Sequence, residues 1–296
     1  MNISIQNLSK VYNNNFQALH KVSLDIETGM FGLLGPNGAG KSTLMKILVT
    51  LLQPSGGKVL VNGVDLSKSR KEVRSILGYL PQDFRFFAKL KTYEFLDYAA
   101  SLAGIKSRRE RRNEIEKMLE KVGLFEVRNR YASKLSGGMK RRLGIAQAII
   151  GEPKLVVVDE PTTGLDPEER IRFRNILADL SQKDVIIILS THIVGDISST
   201  CNQMALLNQG EIGFHGNPDE FINLSRGKVW KTEVGFDQMQ EFNQKYPVIS
   251  TIPVANGYEV ELISPHNSDF KGVQIEPNLE HAYVYFMEYE SSKIPQ

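Results

Sequence analysis

The stretch LLGPNGAGKST at residues 33–43 constrains this chain more than any other feature, because it is rich in glycine and poor in large side chains. Glycine allows the backbone to approach a ligand closely or to adopt positive φ. The residues FGLL at 31–34, which lead into the glycine-rich part of this stretch, predict a strand. The apolar residues after it have helical spacing: Leu44, Ile47, Leu48 and Leu51. A strand, a glycine-rich loop and a helix in this order predict that the loop surrounds a phosphate.

Residues 35–42 fit the P-loop pattern G-x-x-x-x-G-K-[ST]. In such a loop, backbone N–H groups surround the phosphates, a lysine neutralises β- and γ-phosphate oxygens, and a hydroxyl binds Mg²⁺. Lys41 and Ser42 occupy those two positions. The N-terminus of the helix that begins near Lys41 adds positive potential. The sequence therefore predicts a nucleotide site here.

Two further apolar runs, LVVVD at 155–159 and the run ending in STH at 190–192, predict buried strands. Helical periodicity between such runs indicates an α/β fold with a mainly parallel sheet. The carboxyl ends of parallel strands face the ligand. We therefore expect Asp159 to hold Mg²⁺, Glu160 to accept the proton of an attacking water, and His192 to contact the γ-phosphate.

A second anion site is predicted in KLSGGMKRRLGIA at 134–146, where Ser136, Gly137 and Gly138 open a helix. One nucleotide cannot use two such helix N-termini in one chain if they lie far apart. Two copies arranged head to tail could supply one each.

The region at about 83–150 has helical character and predicts an inserted helical subdomain. Its charged segment at 106–114 fits a solvated helix face better than a phosphate or lipid contact, because acidic residues interrupt it and an apolar stripe follows. From residue 225 onward, short alternating strands are predicted to precede an amphipathic helix. This part of the chain contains six basic and ten acidic residues, a net charge of −4. We expect an ATPase domain over 1–224 and a small α+β domain over 225–296.

The composition limits the classes of function that this chain can have. The net charge of +2 argues against a protein that binds nucleic acid through a large basic surface. The single cysteine, Cys201, suits a reducing compartment, and we expect it to be a small buried hydrophobe. The N-terminus, MNISIQNLSK, alternates apolar and polar residues as a strand does and lacks the pattern of a signal peptide. The longest apolar runs fall short of the ~18 residues that a membrane span needs. Another chain would supply any membrane part.

Over residues 2–222 the sequence resembles the ATP-binding subunits of ABC transporters, with the motifs in the family's order. Walker A matches residues 35–43, LSGGM at 135–139 matches the signature, and GLD at 164–166 matches the D-loop. Gln82 matches the Q-loop glutamine. Met139 departs from the glutamine of many members, which removes a polar contact but leaves Ser136 and the glycine amides.

The resemblance implies a P-loop NTPase core and a residue set for ATP and Mg²⁺. The catalytic positions are Glu160, His192 and Gln82, and the metal positions are Ser42, Gln82 and Asp159. The nucleotide-binding positions are Tyr12, which would stack on adenine, Asn37, Gly38, Ala39, Gly40, Lys41, Ser42, Thr43, Ser136, Gly137, Gly138 and Asp166.

The family also implies partners: a second copy or a homologous ATPase subunit, and membrane permease subunits that hold the chain at the cytoplasmic face of the membrane. The tail IEPNLEHAYVYFMEYE at 275–290 resembles exporter ATPases that pair with separate six-span permeases, so export is favoured over import. Phe84, Phe86 and Phe87 either pack inward or receive a permease helix.

Two alternatives remain: a soluble ABC ATPase acting on ribosomes or nucleic acid, and a non-hydrolysing regulatory binder. A single cassette without long coiled coils argues against the first alternative. The presence of Glu160 and His192 argues against the second.

Overall fold

The computed structural model describes residues 1–87, 89–265 and 270–291. Its strands are β1 (Asn2–Val11), β2 (Gln17–Glu27), β3 (Gly29–Leu34), β4 (Gly56–Val61), β5 (Val64–Asp65), β6 (Leu77–Leu80), β7 (Leu155–Asp159), β8 (Ile186–Thr191), β9 (Gln203–Asn208), β10 (Glu211–Gly216), β11 (Val229–Gly235), β12 (Val248–Val254), β13 (Gly257–Ile263) and β14 (Val273–Gln274). Its helices are α1 (Lys41–Leu48), α2 (Arg70–Ser75), α3 (Thr92–Leu102), α4 (Arg108–Lys121), α5 (Gly137–Ile149), α6 (Pro167–Ser181), α7 (Val194–Ser198), α8 (Pro218–Asn223), α9 (Met239–Lys245) and α10 (Leu279–Tyr285).

A six-stranded sheet in the order β10-β9-β3-β8-β7-β6 forms the centre of the fold. Its neighbouring strands are parallel except for the antiparallel pair β9 and β10. Every residue of β7 and β8 is buried, which explains their continuous apolar sequences, because a parallel sheet is covered on both faces. The predicted mainly parallel sheet is confirmed.

Different elements cover the two faces of this sheet. Apolar side chains of α3, α4, α5 and α6 form one core with alternate residues of β7 and β8. The other core joins α1 to a four-stranded antiparallel sheet in the order β2-β1-β4-β5. Only β1 of that second sheet was expected from the sequence.

The helical region predicted at about 83–150 contains α3, α4 and α5. In α4, Ile115 and Leu119 are fully buried, whereas Arg108 and Arg109 are exposed, as expected for a solvated helix face.

Helix α1 ends earlier than predicted. Thr50 adopts the left-handed conformation, with φ of 63°, and Leu51 is exposed, so its assignment to the α1 stripe is wrong.

The C-terminal residues form a third sheet, antiparallel and in the order β12-β13-β11-β14. Helix α10 then packs back on the ATPase core, where Leu279 and Ala282 share an apolar cluster with Ile197 of α7 and Leu34 of β3. Residues 266–269 and 292–296 of the expected C-terminal domain lie outside the described residues. The boundary near 225 stays a prediction.

Cys201 packs against the central core, and burial raises the pKa of its thiol to about 12. This environment fits the expected role as a small hydrophobe. Within residues 1–87, 89–265 and 270–291, no helix combines the length and apolar composition that crossing a bilayer requires.

Candidate nucleotide site

Three parallel strands bring the candidate site together at one edge of the central sheet. Strand β8 lies between β3 and β7, so the loops after all three are neighbours. Leu34 at the end of β3 is in register with Thr191, and Asp159 at the end of β7 is in register with Ser190. The glycine-rich loop, the Asp-Glu pair and His192 therefore meet, as predicted.

The glycine-rich loop needs its glycines for backbone conformation and for packing. Gly38 and Gly40 have φ of 82° and 105°, a region that other residues rarely adopt. A Cβ on Gly40 would also lie 2.5 Å from the carbonyl oxygen of Ala18. Helix α1 begins at the next residue, Lys41, so the free N–H groups of its first turn directly follow the loop and add positive potential there.

Lys41 is almost fully buried, with 4% of its side chain exposed. Its Nζ donates hydrogen bonds to the carbonyl oxygens of Gly35 at 2.7 Å and Pro36 at 2.9 Å, and lies 3.7 Å from Glu160 Oε1. Burial lowers the pKa of Lys41, and the negative charges of Glu160 and Asp159 oppose that shift. A buried cation held mainly by carbonyl oxygens is suited to binding an anion.

Asp159 is buried at the end of β7 and accepts a hydrogen bond from the Ser190 hydroxyl. Burial raises its pKa, while hydrogen bonds from Ser190 and Ser42 act in the opposite direction. The Ser42 hydroxyl and the Asp159 carboxylate therefore lie together. Mg²⁺ prefers oxygen ligands and commonly binds one or two carboxylates together with substrate phosphates, so these two residues fit that ion.

Glu160 is the point at which the candidate catalytic residues meet. Gln82 Nε2 donates to Glu160 Oε2 at 3.2 Å, and His192 Nδ1 lies 3.2 Å from the same oxygen. His192 Nδ1 nevertheless makes no well-directed hydrogen bond to any described group. Glu160 has a φ of 44°, a strained value that its N–H contact with the Ser190 carbonyl at 3.0 Å helps to hold.

Tyr12 lies beside the glycine-rich loop, with its hydroxyl 3.1 Å from Thr43 Oγ1. Its ring stacks on Phe16 at a centroid separation of 6.5 Å, and Phe16 is largely exposed. Tyr12 therefore lies next to the Walker A residues, and its stacking on adenine stays a prediction. Phe16 was not anticipated as its neighbour, although an aromatic residue four positions after Tyr12 was a visible signal.

The signature residues lie at the start of α5, and Ser136 caps this helix by accepting a hydrogen bond from the N–H of Met139 at 3.2 Å. Ser136 and Gly137 are exposed, and Gly138 packs so closely on Glu169 that a Cβ would lie 2.5 Å from its carboxyl carbon. No hydrogen bond between described residues joins Ser136, Gly137 or Gly138 to the glycine-rich loop.

Asp166 has a structural role in this conformation, because its side chain caps α6 by accepting a hydrogen bond from Glu169 N at 2.9 Å.

Two residues of the site were not predicted from the sequence. Ser190 contacts both Asp159 and the backbone of Glu160, and its signal was a polar residue in an apolar strand. Arg141 contacts the backbones of Gln82 and Glu160.

A family model described as "ABC transporter" matches residues 19–163. YxlF of Bacillus subtilis, an uncharacterized ABC transporter ATP-binding protein, is 34% identical over 255 residues, which span 86% of this chain and 83% of YxlF. This chain belongs to the ABC transporter ATP-binding proteins. The methionine import ATP-binding protein MetN of Helicobacter pylori is also similar to this ABC protein, at 33% identity over 79% of this chain and 73% of MetN.

Solved ABC structures support the same assignment. The chain cbiO1 of Clostridium perfringens, part of the ABC transporter complex cbiONQ, has a TM-score of 0.68 at 27% identity, covering 75% of this chain and 90% of cbiO1. A dimeric ATP-binding cassette in a post-hydrolysis state with ADP and Pi has a TM-score of 0.67 at 25% identity, covering 73% and 98%. The predicted P-loop NTPase fold is confirmed, and the chain is an ATP-binding ABC ATPase.

Proposed function

We propose that this ABC ATPase binds Mg²⁺ and ATP between its own Walker A loop and the signature of a second copy or a homologous subunit. ATP-driven closure of that dimer powers a separate membrane permease, in the direction of export. The observation that carries the proposal is the meeting of Lys41, Gln82 and His192 at the Glu160 carboxylate, beside the glycine-rich loop.

Each residue has a role that follows from its position. Lys41 leaves the Gly35 and Pro36 carbonyls to neutralise phosphate oxygens, which are stronger acceptors because they are charged. Glu160 then accepts the proton of the attacking water, and Gln82 and His192 hold that water and the γ-phosphate. Ser42, Asp159 and Gln82 would hold Mg²⁺, which neutralises developing charge on the phosphates.

The dimer accounts for two anion-binding helix N-termini that share no hydrogen bond among the described residues of one chain. Ser136 and Gly137 are exposed at the N-terminus of α5, so a nucleotide on another copy can reach them. Contacts made only in the closed dimer give ATP a higher affinity for that state, which is what drives closure.

The surface proposed for the permease lies between the Gln82 loop and the helical region. Phe84 and Phe86 pack inward against Phe95, with centroid separations of 5.9 and 5.4 Å. Phe87 is exposed and meets the exposed ring of Tyr98 at 5.8 Å, so this pair is the proposed apolar anchor. Ala88 of the same segment lies outside the described residues. Docking there would hold the chain at the cytoplasmic membrane face.

The tail motif at 275–290 supports export, and the near-neutral net charge argues against a nucleic-acid partner.

The first test is purification of the tagged chain from detergent-solubilised membranes of its own cells, with mass spectrometry of its partners. A permease in equal amounts is expected. Ribosomal proteins or nucleic acid in its place would contradict the proposal. Transport into inside-out vesicles supports export, whereas uptake into right-side-out vesicles contradicts that direction.

A second test separates binding from hydrolysis. Glu160→Gln should retain ATP binding and accumulate as a dimer on size exclusion when ATP and Mg²⁺ are present, because the water is no longer deprotonated. Adding Lys41→Ala to this variant is the matched control and should abolish the dimer. A Glu160→Gln chain that stays monomeric with saturating ATP, alone and with its permease, would refute the head-to-tail dimer.

A further inference from the structure

Arg141 lies on α5 and contacts three backbone carbonyls from two segments that are far apart in sequence, residues 81–82 and residue 160. Its Nη1 donates to the carbonyl oxygens of Pro81 at 3.2 Å and Gln82 at 2.8 Å, and its Nη2 lies 3.4 Å from that of Glu160. One guanidinium therefore contacts the loop after β6, the end of β7 and, through its own backbone, the helix that begins with the signature.

A guanidinium is suited to this position because its donors form a planar, rigid fork that stays charged in proteins. Burial lowers the pKa of Arg141, and the carboxylates of Asp83, Asp159 and Glu160 oppose that shift. Hydrogen bonds from a cation to carbonyl oxygens are stronger than neutral ones. The three bonds go to the main chain, so they hold the backbones of Gln82 and Glu160, whose side chains meet at 3.2 Å.

We propose that Arg141 is a positioning residue that couples the Q-loop to the catalytic glutamate and to the signature helix of the same subunit. The inference rests on the proposed function, in which Gln82 lies beside the permease surface and Ser136 contacts the nucleotide of the partner. A movement of the Gln82 backbone displaces the guanidinium. That displacement reaches both the Glu160 backbone and the helix that carries Ser136, so one side chain reports permease docking to both halves of the composite site.

The first experiment compares Arg141→Met and Arg141→Lys with Lys140→Met, in which the preceding cation, absent from these three contacts, is removed. Steady-state ATP hydrolysis and thermal unfolding are measured for each purified chain. Arg141→Met should lower kcat by about tenfold, the size of effect expected from losing a charge-assisted hydrogen bond, and change KM for ATP by less than about twofold. Arg141→Lys should recover only part of kcat, because an ammonium lacks the fork. Lys140→Met should resemble the unmodified chain.

The second experiment is a double-mutant cycle between Arg141→Met and Gln82→Ala. Because Arg141 acts through the Gln82 backbone, the double variant should lose little more kcat than the worse single variant. Additive losses would overturn the proposal, as would an unchanged kcat in Arg141→Met. If Arg141→Met does not fold, a folded Arg141→Lys with unchanged kcat overturns it equally.

Different results would refute the proposed function and the role of Arg141. An unmodified chain whose ATP hydrolysis does not depend on Lys41 refutes the proposed function, and the role of Arg141 with it. An active chain whose Arg141 variants hydrolyse ATP normally refutes the role of Arg141 alone.

Discussion

Two histidines beside glutamates show how the nucleotide site differs from the C-terminal region. His281 in α10 is fully engaged, because its Nδ1 accepts a hydrogen bond from Asn278 N at 3.2 Å and its Nε2 lies 3.1 Å from Glu261 Oε2. His192 Nδ1 lies equally close to Glu160 Oε2 but makes no well-directed hydrogen bond to any described group. The first histidine has a partner at both ring nitrogens, whereas Nδ1 of the second is buried beside the Glu160 carboxylate without a well-directed hydrogen bond among the described residues.

Two lysine–glutamate pairs show the same difference. Lys231 and Glu259 lie 3.0 Å apart across β11 and β13, with side chains 36% and 34% exposed. Lys41 and Glu160 lie 3.7 Å apart with side chains only 4% and 8% exposed. A buried charge that is incompletely paired costs stability, so the protein tolerates it where function needs it. At the nucleotide site, ATP would supply the missing partners.

Lys41→Met gives the largest expected effect. It should weaken ATP binding by roughly a hundredfold or more, because a buried cation that pairs with phosphate is lost. Lys231→Met, the matched change in the more exposed pair, should leave ATP affinity within about twofold, since ion pairs near the surface contribute little. Titration with a fluorescent ATP analogue measures both. Equal affinities in the two variants would remove the distinction between these pairs.

His192→Ala should lower kcat by about a hundredfold with little change in KM for ATP, because one polar contact to the transferring phosphoryl group is removed. Its melting temperature should change little, since His192 Nδ1 has no well-directed hydrogen bond to lose among the described residues. Steady-state kinetics and thermal unfolding together test this. A variant that melts earlier while hydrolysing ATP normally would assign His192 a structural role.

His281→Ala should do the opposite and lower the free energy of unfolding by about 2 kcal/mol, because it leaves buried polar groups without partners. Urea unfolding measures that loss, and kcat measured well below the midpoint should stay within about twofold of the unmodified chain. A large fall in kcat at unchanged stability would show that α10 acts on the site through α7, on which it packs.

Asp159→Asn has the smallest expected effect and tests the sign of its pKa shift. Because burial raises the Asp159 pKa, the folded chain binds a proton at pH values where the unfolded chain does not, so stability rises as pH falls through that window. Without Mg²⁺ and nucleotide, Asp159→Asn should therefore melt above the unmodified chain at pH 7.5, and the difference should shrink toward pH 5. A variant that melts lower at pH 7.5 would contradict the shift.

The nucleotide loop could be predicted from the sequence, because the spacing of its residues is strict and the strand and helix beside it each have a clear apolar pattern. Walker A joins a buried strand to a helix, and Asp159 and His192 each follow a continuous apolar run, so parallel topology brings them together. The error at Leu51 has a local cause. Apolar spacing continued past Leu48, but the left-handed turn at Thr50 ended the helix, and no glycine marked that turn.

Arg141 shows why the other contacts of the site could not be predicted from the sequence. In the segment MKRRL, Arg141 cannot be distinguished from its neighbouring cations. It gains three carbonyl partners only because the loop after β6 and the end of β7 lie next to it in the folded chain. The sheet formed by β2, β1, β4 and β5 was hidden for the same reason, since strand pairing depends on partners distant in the chain.

The α/β class, the order of the motifs and the resemblance to ABC ATPases follow from the amino-acid sequence alone, because glycine conformation, burial and motif spacing act over a few neighbouring residues. Three features become visible only in the folded chain: Glu160 is shared by Lys41, Gln82 and His192, Arg141 bridges two loops, and α10 returns to the core. Those contacts join residues tens of positions apart. They depend on how layers pack, which local sequence does not encode.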